Sequence, residues 1–221
     1  MSDLHTPRRR PGPEQDALRR DILSAVRTLH LEGGNDAVTM RAVADTVGLS
    51  AMGLYRYFSN KSALVMGAWD EALADALAAS LARLRPRDAA PARLRAFYAG
   101  YIDYWLEHPH AWRMMFDVQR GAAEGEVFAG GPAAAFRAHA QALVDACLPS
   151  AGAAASRSAH DLCRCKVLGY LFLAVGIGLP TGDPRTLRDA MLDDIVRQLD
   201  GADAAPVRRP GAVSRVKSSR G

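Results

Sequence analysis

The stretch "TMRAVADTVGLSAMGLYRYFSNK", Thr39 to Lys61, decides the fold. Thr39 is a good N-cap, and Met40, Val43, Ala44 and Val47 follow at helical spacing as a buried stripe. Gly48 interrupts the pattern where a sharp turn needs the left-handed backbone region, which glycine enters without a Cβ penalty. Leu49 plugs the turn into the core, and Ser50 caps a second helix whose buried side is Leu54, Tyr55 and Phe58. Ala44 is small where the two helices cross. Two short helices joined through a Gly-containing turn make a helix-turn-helix.

What stays outward at the leading end of the second helix is Ala51, Met52 and Gly53, with Arg56 one turn on. Small residues at a leading end suit a helix that enters a DNA major groove. Upstream, Leu18, Ile22, Ala25, Val26 and Leu29 predict a helix from Glu14 that stops at Gly33-Gly34. Downstream, Ser59 or Asn60 caps a long helix reaching about Arg85, halted by Pro86. Further helical patterns cover about 91–107, 110–119, 132–147, 156–178 and 184–200. Their breaks are Pro109, the Gly-rich 121–131 loop, Pro149-Ser150 and the Pro180–Pro184 turn. No alternating strand pattern of useful length occurs, so the expected fold is all-α. It has a three-helix helix-turn-helix unit at 14–61 and a helical bundle at 62–203, about nine helices together.

Charge is uneven along the 221 residues. The arm 1–13 carries three arginines against Asp3, and its prolines and Gly12 predict flexibility. The segment 204–221 has five basic residues and no acid, and predicts a disordered tail. Basic arms flanking a neutral body suit a polyanion, with solvated tails as the alternative. No apolar segment follows Arg8–Arg10 as a signal peptide requires. The apolar run Val167 to Pro180 is 14 residues, shorter than the ~20 that span a bilayer. The expectation is a soluble, cytoplasmic protein without membrane contact. Three cysteines argue against a disulfide framework. Cys163 and Cys165, two apart on a helix, point to different sides, and the histidines form no ligand pair, so no metal or cofactor is expected.

"TMRAVADTVGLSAMGLYRYFSNKSAL" resembles the DNA-binding signature of the TetR family of transcriptional regulators. The resemblance covers Gln15 to Leu64: threonine at the helix start, Ala-x-x-x-Gly-Leu-Ser at the turn, Leu-Tyr-x-x-Phe in the recognition helix, and lysine three residues later. It implies a DNA-binding set of Thr39, Arg41, Ser50, Ala51, Met52, Gly53, Tyr55, Arg56, Tyr57 and Lys61. Within that set Thr39, Tyr57 and Lys61 grip phosphates. Ala51, Met52, Gly53, Tyr55 and Arg56 face base or sugar-phosphate edges. Ala51 and Met52 favour thymine methyls and Arg56 a guanine. The alternatives are core packing for Tyr55 and solvated surface for Tyr57 and Lys61. Arg8–Arg10 are candidates for a minor-groove arm.

In "FYAGYIDYWLEHPHAWRMMF", Phe97, Tyr101, Tyr104 and Trp105 share one helical face, with Trp112, Met115 and Phe116 close behind. One reading is an ordinary core stripe. The other is a pocket for an apolar or aromatic small molecule, with Phe172 as a further wall. The family resemblance supports the pocket, because the C-terminal domain of TetR regulators typically binds an effector. Tyr104, His108-Pro109 and Met115-Phe116 are also similar to the subgroup carrying a later Trp-His-Gly motif. Here Val175-Gly176 stands where His-Gly falls. The resemblance further implies a homodimer through helices near 156–178 and 184–200, with Gly169 and Gly176 on one side, and a palindromic double-stranded operator. An enzyme finds no support: there is no nucleophile–base pairing, phosphate loop or metal cluster, and His108 and His110 flank a proline at a helix junction.

Overall fold

A computed structural model describes residues 12–121, 130–178 and 182–204. Helix α1 (Pro13–Ala37) starts with proline at its first position and Glu14 and Asp16 in its first turn, where carboxylates meet the positive end of the helix dipole. It buries Ile22, Leu23, Ala25 and Val26. Helical geometry breaks at Gly33 and Gly34, as the sequence predicts; Gly34 lies at φ +66°, and one further turn runs to Ala37. The short helices α2 (Met40–Thr46) and α3 (Ala51–Tyr55) follow. Helix α4 (Lys61–Ala82) is capped by Asn60, whose Oδ1 accepts from the Ala63 amide at 2.8 Å. It ends at Ala82, short of the expected Arg85; Pro86 can offer no N–H to the Ala82 carbonyl four residues back, and its ring clashes with a helical carbonyl there.

The bundle continues with α5 (Ala90–Glu107), α6 (Pro109–Gly121), α7 (Gly131–Cys147), α8 (Ala153–Leu171) and α9 (Pro184–Ala204). These are nine α-helices among the described residues, with no strand. The expected arm and tail lie outside the described residues, except Gly12, Pro13 and Ala204; so do 122–129 of the loop and 179–181 of the turn.

One apolar cluster runs from Ile22 to Leu199. Helix α4 lies at its centre, burying Leu64, Val65, Ala68, Trp69, Ala72, Leu73 and Ala76 while packing on α1, α5, α6 and α7. Its crossing with α5 is close: a Cβ on Gly100 would sit 2.8 Å from both the Ala79 carbonyl oxygen and Ser80 Cα. Rings fill the middle. Trp69 stacks on Trp105 at 5.0 Å between centroids, and Trp105 meets Trp112 edge-on at 5.4 Å. Asp103, buried on α5, joins α4 to α9 by accepting from Arg83 at 2.8 Å and from Arg188.

Helix α8 does not run on uniformly to 178. From Phe172 to Gly178 it widens into a π-helical stretch, whose i→i+5 bonding shifts the register of faces. The seven-residue spacing of Gly169 and Gly176 therefore does not keep them on one side. Gly169 has open space around its Cβ position, whereas Gly176 faces Phe172 and Phe116 at 3.6 and 3.9 Å. No helix of the described residues is long and apolar enough to cross a membrane.

Candidate nucleic-acid interface and inner cavity

Local hydrogen bonds shape the outward face of α2 and α3. Thr39 Oγ1 accepts from the Ala42 amide at 3.0 Å, and Ser50 Oγ accepts from the Gly53 amide at 3.0 Å. Gly48, at φ +68°, makes the turn, and the Leu49 amide donates back to the Ala44 carbonyl at 2.9 Å. Leu54 and Phe58, four residues apart, drive into the core. Thr39, Arg41, Ser50, Ala51, Met52, Tyr55 and Arg56 are exposed, and Gly53, Tyr57 and Lys61 are half-buried. Met52 is 77% exposed, so the leading end of α3 presents an apolar side chain to solvent.

Tyr55 departs from the expected buried side of α3, being 51% exposed. It follows Leu54 directly, and neighbours on a helix cannot share a face. Tyr57 packs against the core rather than standing free in solvent. Lys61 Nζ donates to the Asn35 carbonyl at 2.5 Å, tying the start of α4 to the end of α1. Arg41 faces Asp45 at 3.8 Å on an open surface. The expectations for Arg8–Arg10 lie outside the described residues.

Arg19 is a basic residue that the sequence pattern did not single out. Its guanidinium lies 4.4 Å from the centre of the Phe58 ring, and it borders a surface hollow with Gln15, Arg56 and Tyr57. Only the packing of α1 across the end of α3 brings Arg19 beside Arg56.

An ion pair and a histidine–carboxylate hydrogen bond connect this head to the bundle. Arg27 on α1 donates to Glu71 on α4 at 2.9 Å. His30, also on α1, donates through Nε2 to Asp117 on α6 at 2.8 Å, with both side chains largely buried.

Inside the bundle is a cavity of ~80 Å³. Trp69 and Leu73 of α4, Tyr98 and Tyr101 of α5, Met115 of α6 and Phe136 of α7 wall it, with Val167 and Leu168 of α8 opposite. Arg137 and Arg164 complete the lining. Of the ligand-binding set expected from sequence, Tyr101 and Met115 border this space. Phe97, Trp105 and Trp112 are buried in the ring cluster instead. Tyr104 is half-buried against His108, with ring centres 4.4 Å apart, and its phenol is pushed up to about 12 by burial. Phe116 and Phe172 meet edge-on at 6.1 Å, and Phe172 is 45% exposed. Most of the aromatic stripe is therefore core. Trp69, Tyr98, Phe136, Arg137 and Arg164 were not legible as cavity residues because they come from four separate helices.

The cysteines are free thiols: Cys147 and Cys163 are buried and Cys165 is exposed. Burial raises the Cys163 thiol to about 11, so it remains protonated at neutral pH.

Residues 22–66 match the family model described as bacterial regulatory proteins, tetR family. The uncharacterized HTH-type transcriptional regulator YdeS of Bacillus subtilis (strain 168) is 35% identical over 69 residues, covering 31% of this chain and 35% of that protein. The chain thus matches about a third of that relative's length. A protein of unknown function from Rhodococcus sp. RHA1 superposes with a TM-score of 0.68 at 20% identity, covering 88% of this chain and all of that one. The TetR family transcriptional regulator PfmR from Thermus thermophilus gives 0.59 at 19% identity, covering 80% and 97%. At these identities the structural likeness speaks for the fold.

Proposed function

The chain belongs to the TetR family of DNA-binding transcriptional regulators through its N-terminal domain, and from that premise we propose that it is a dimeric repressor released from a palindromic operator by a small apolar effector. The observation that carries the reading is the exposed, capped face of α3. Met52, Tyr55 and Arg56 stand out from a short helix whose geometry is held by Ser50 and Gly48. Such a face reads base edges while Thr39, Tyr57 and Lys61 hold phosphates.

Dimerisation has a candidate surface on α8 and its π-helical continuation, where Leu162, Leu168, Phe172, Leu173 and Ile177 are exposed, with Leu187 exposed on α9. Apolar side chains gathered on neighbouring elements mark an association surface. A two-fold pair presents two α3 helices to half-sites about one DNA turn apart. The two functions meet in α6. Met115 borders the cavity, and Asp117, two residues on, holds His30 of the DNA-binding head. An effector that displaces α6 therefore shifts the head, and by linkage DNA weakens effector binding equally.

An effector-independent regulator is the second reading, favoured by one observation: the cavity is smaller than the ~150 Å³ that holds benzene in an apolar core. Selection of randomised duplexes on the purified protein at near-physiological salt tests the main reading. The expected product is a palindromic consensus whose complex dissociates when an effector binds. Sequence-blind, strongly salt-dependent retention would overturn it, and a consensus that no cavity ligand weakens would favour the second reading.

A further inference from the structure

The polar groups that border the inner cavity have one chemistry in common. Trp69 offers an indole N–H, Tyr98 and Tyr101 offer phenolic O–H groups, and Arg137 and Arg164 are cations; among the described residues no carboxylate lines the space. Trp69 Nε1 and Tyr98 Oη are both buried without a hydrogen-bond partner, as are Trp105 Nε1 and Trp112 Nε1 in the neighbouring ring cluster, and Trp69 and Tyr98 are each 1% exposed. Buried donors left unpaired are costly, so a ligand that reaches Trp69 or Tyr98 gains by completing them. Burial holds Tyr98 as the neutral phenol, with Arg164 close enough to act on it electrostatically.

Arg137 and Arg164 also line a second, open hollow between α7 and α8, together with Arg157, His160 and Asp161. The two guanidiniums thus stand between the surface and the apolar interior. Arg164 donates to Asp161 at 3.3 Å on the exposed side, a contact that an incoming acid can replace. Burial, followed by Arg164, lowers the His160 pKa and favours its neutral form.

We propose that this cavity binds an organic anion, a slender apolar body ending in a single carboxylate, with Arg164 and Arg137 at the head and Tyr98 and Trp69 as neutral donors beside it. The apolar part lies on Leu73, Met115, Phe136 and Val167. A guanidinium recognises a carboxylate through paired N–H donors, and charge-assisted bonds in a water-poor site are the strong ones. The small volume selects a narrow chain over a fused ring system. The assignment rests on the effector reading above and narrows it to a chemical class.

The test uses the full chain and two matched probe sets, read by calorimetry and by tryptophan fluorescence, since Trp69 borders the site and contacts the other two tryptophans. Hexanoate is compared with hexanamide and hexylamine, and the shorter butanoate with butanamide. Expected is a preference for carboxylate over amide of about ten- to a hundredfold, the range of a hydrogen bond to a charged group. Arg164→Gln should abolish that preference, bringing the affinities for acid and amide to within about threefold of each other. Tyr98→Phe, which keeps the ring, should weaken both by a few-fold. Equal binding of acid and amide, tighter binding of the amine, or an unchanged preference in Arg164→Gln overturns the anion assignment. So does the absence of binding by every probe. Operator release separates the two readings. Release by the amide or amine alone leaves the effector reading standing and removes the anion. Carboxylate binding that leaves operator affinity unchanged keeps the site and removes the effector role.

Discussion

Arg56 and Lys61 carry equal charge in different surroundings. Arg56 is exposed just past α3, whereas one of the three Lys61 ammonium donors is already engaged by the Asn35 carbonyl at 2.5 Å. Arg56→Ala should therefore relax base preference at one operator position by about 1–3 kcal/mol. Lys61→Ala should weaken every sequence together and reduce the salt slope by about one. Titrations of consensus and scrambled duplexes across salt check the division, and equal loss of specificity in both variants would refute it. A second residue-scale case is Asp103, which pairs with Arg83 and Arg188 from two other helices. Asp103→Ala leaves Arg188 only Asp189, at 2.9 Å, as carboxylate partner, so the cost falls below the about 3–5 kcal/mol of a buried charge left wholly unpaired. A lowered denaturant midpoint at unchanged slope is the expected readout.

Among the elements, the α4–α5 crossing and α6 carry the most. Helix α4 approaches α5 so closely that any side chain at Gly100 meets backbone, which cannot swing aside as a side chain would. Gly100→Ala should cost about 1–3 kcal/mol despite its better helix propensity. A thermal melt checks the sign: stabilisation would mean that the two backbones have room to separate. Helix α6 joins the cavity wall at Met115 to the DNA-binding head through Asp117 and His30. His30→Gln should preserve operator affinity without ligand and reduce the ligand-driven loss of affinity by about 0.5–2 kcal/mol. Operator titrations with and without a releasing ligand measure that difference.

For the whole molecule, the exposed apolar residues of α8 and its π-helical continuation set the prediction. Leu162 and Ile177 are 61% and 65% exposed. Replacing both by aspartate should leave the folded monomer intact, with unchanged helical content, while sedimentation shows loss of the dimer. Operator affinity should then fall by well over tenfold, since two half-sites no longer act through one particle. A dimer that survives the double substitution would place the interface elsewhere.

Much of the fold was legible in the chain itself. Helix caps and breakers are local chemistry, so Thr39, Gly48 and Ser50 could be placed before any tertiary contact was known, and each holds its expected role; the cap of α4 was narrowed to Ser59 or Asn60, and Asn60 takes it. The outward residues of α3 followed from the same short-range periodicity, except Tyr55, whose aromatic ring reads as core or surface with equal ease. The aromatic stripe of α5 was visible as one face, but a single helix cannot tell whether the opposing helices fill or leave a space. Trp69, Phe136 and Trp112 decided that, closing most of the stripe into solid core. Likewise, the π-helical turn after Leu171 separated Gly169 from Gly176, a change of hydrogen-bond register that seven-residue spacing does not announce. The sequence by itself determined the helices, the turn and the outward face of α3, because these depend on neighbours within a few residues. Tertiary structure alone decided the inner cavity and the His30–Asp117 link, because both arise where residues remote in the chain are forced to share one volume.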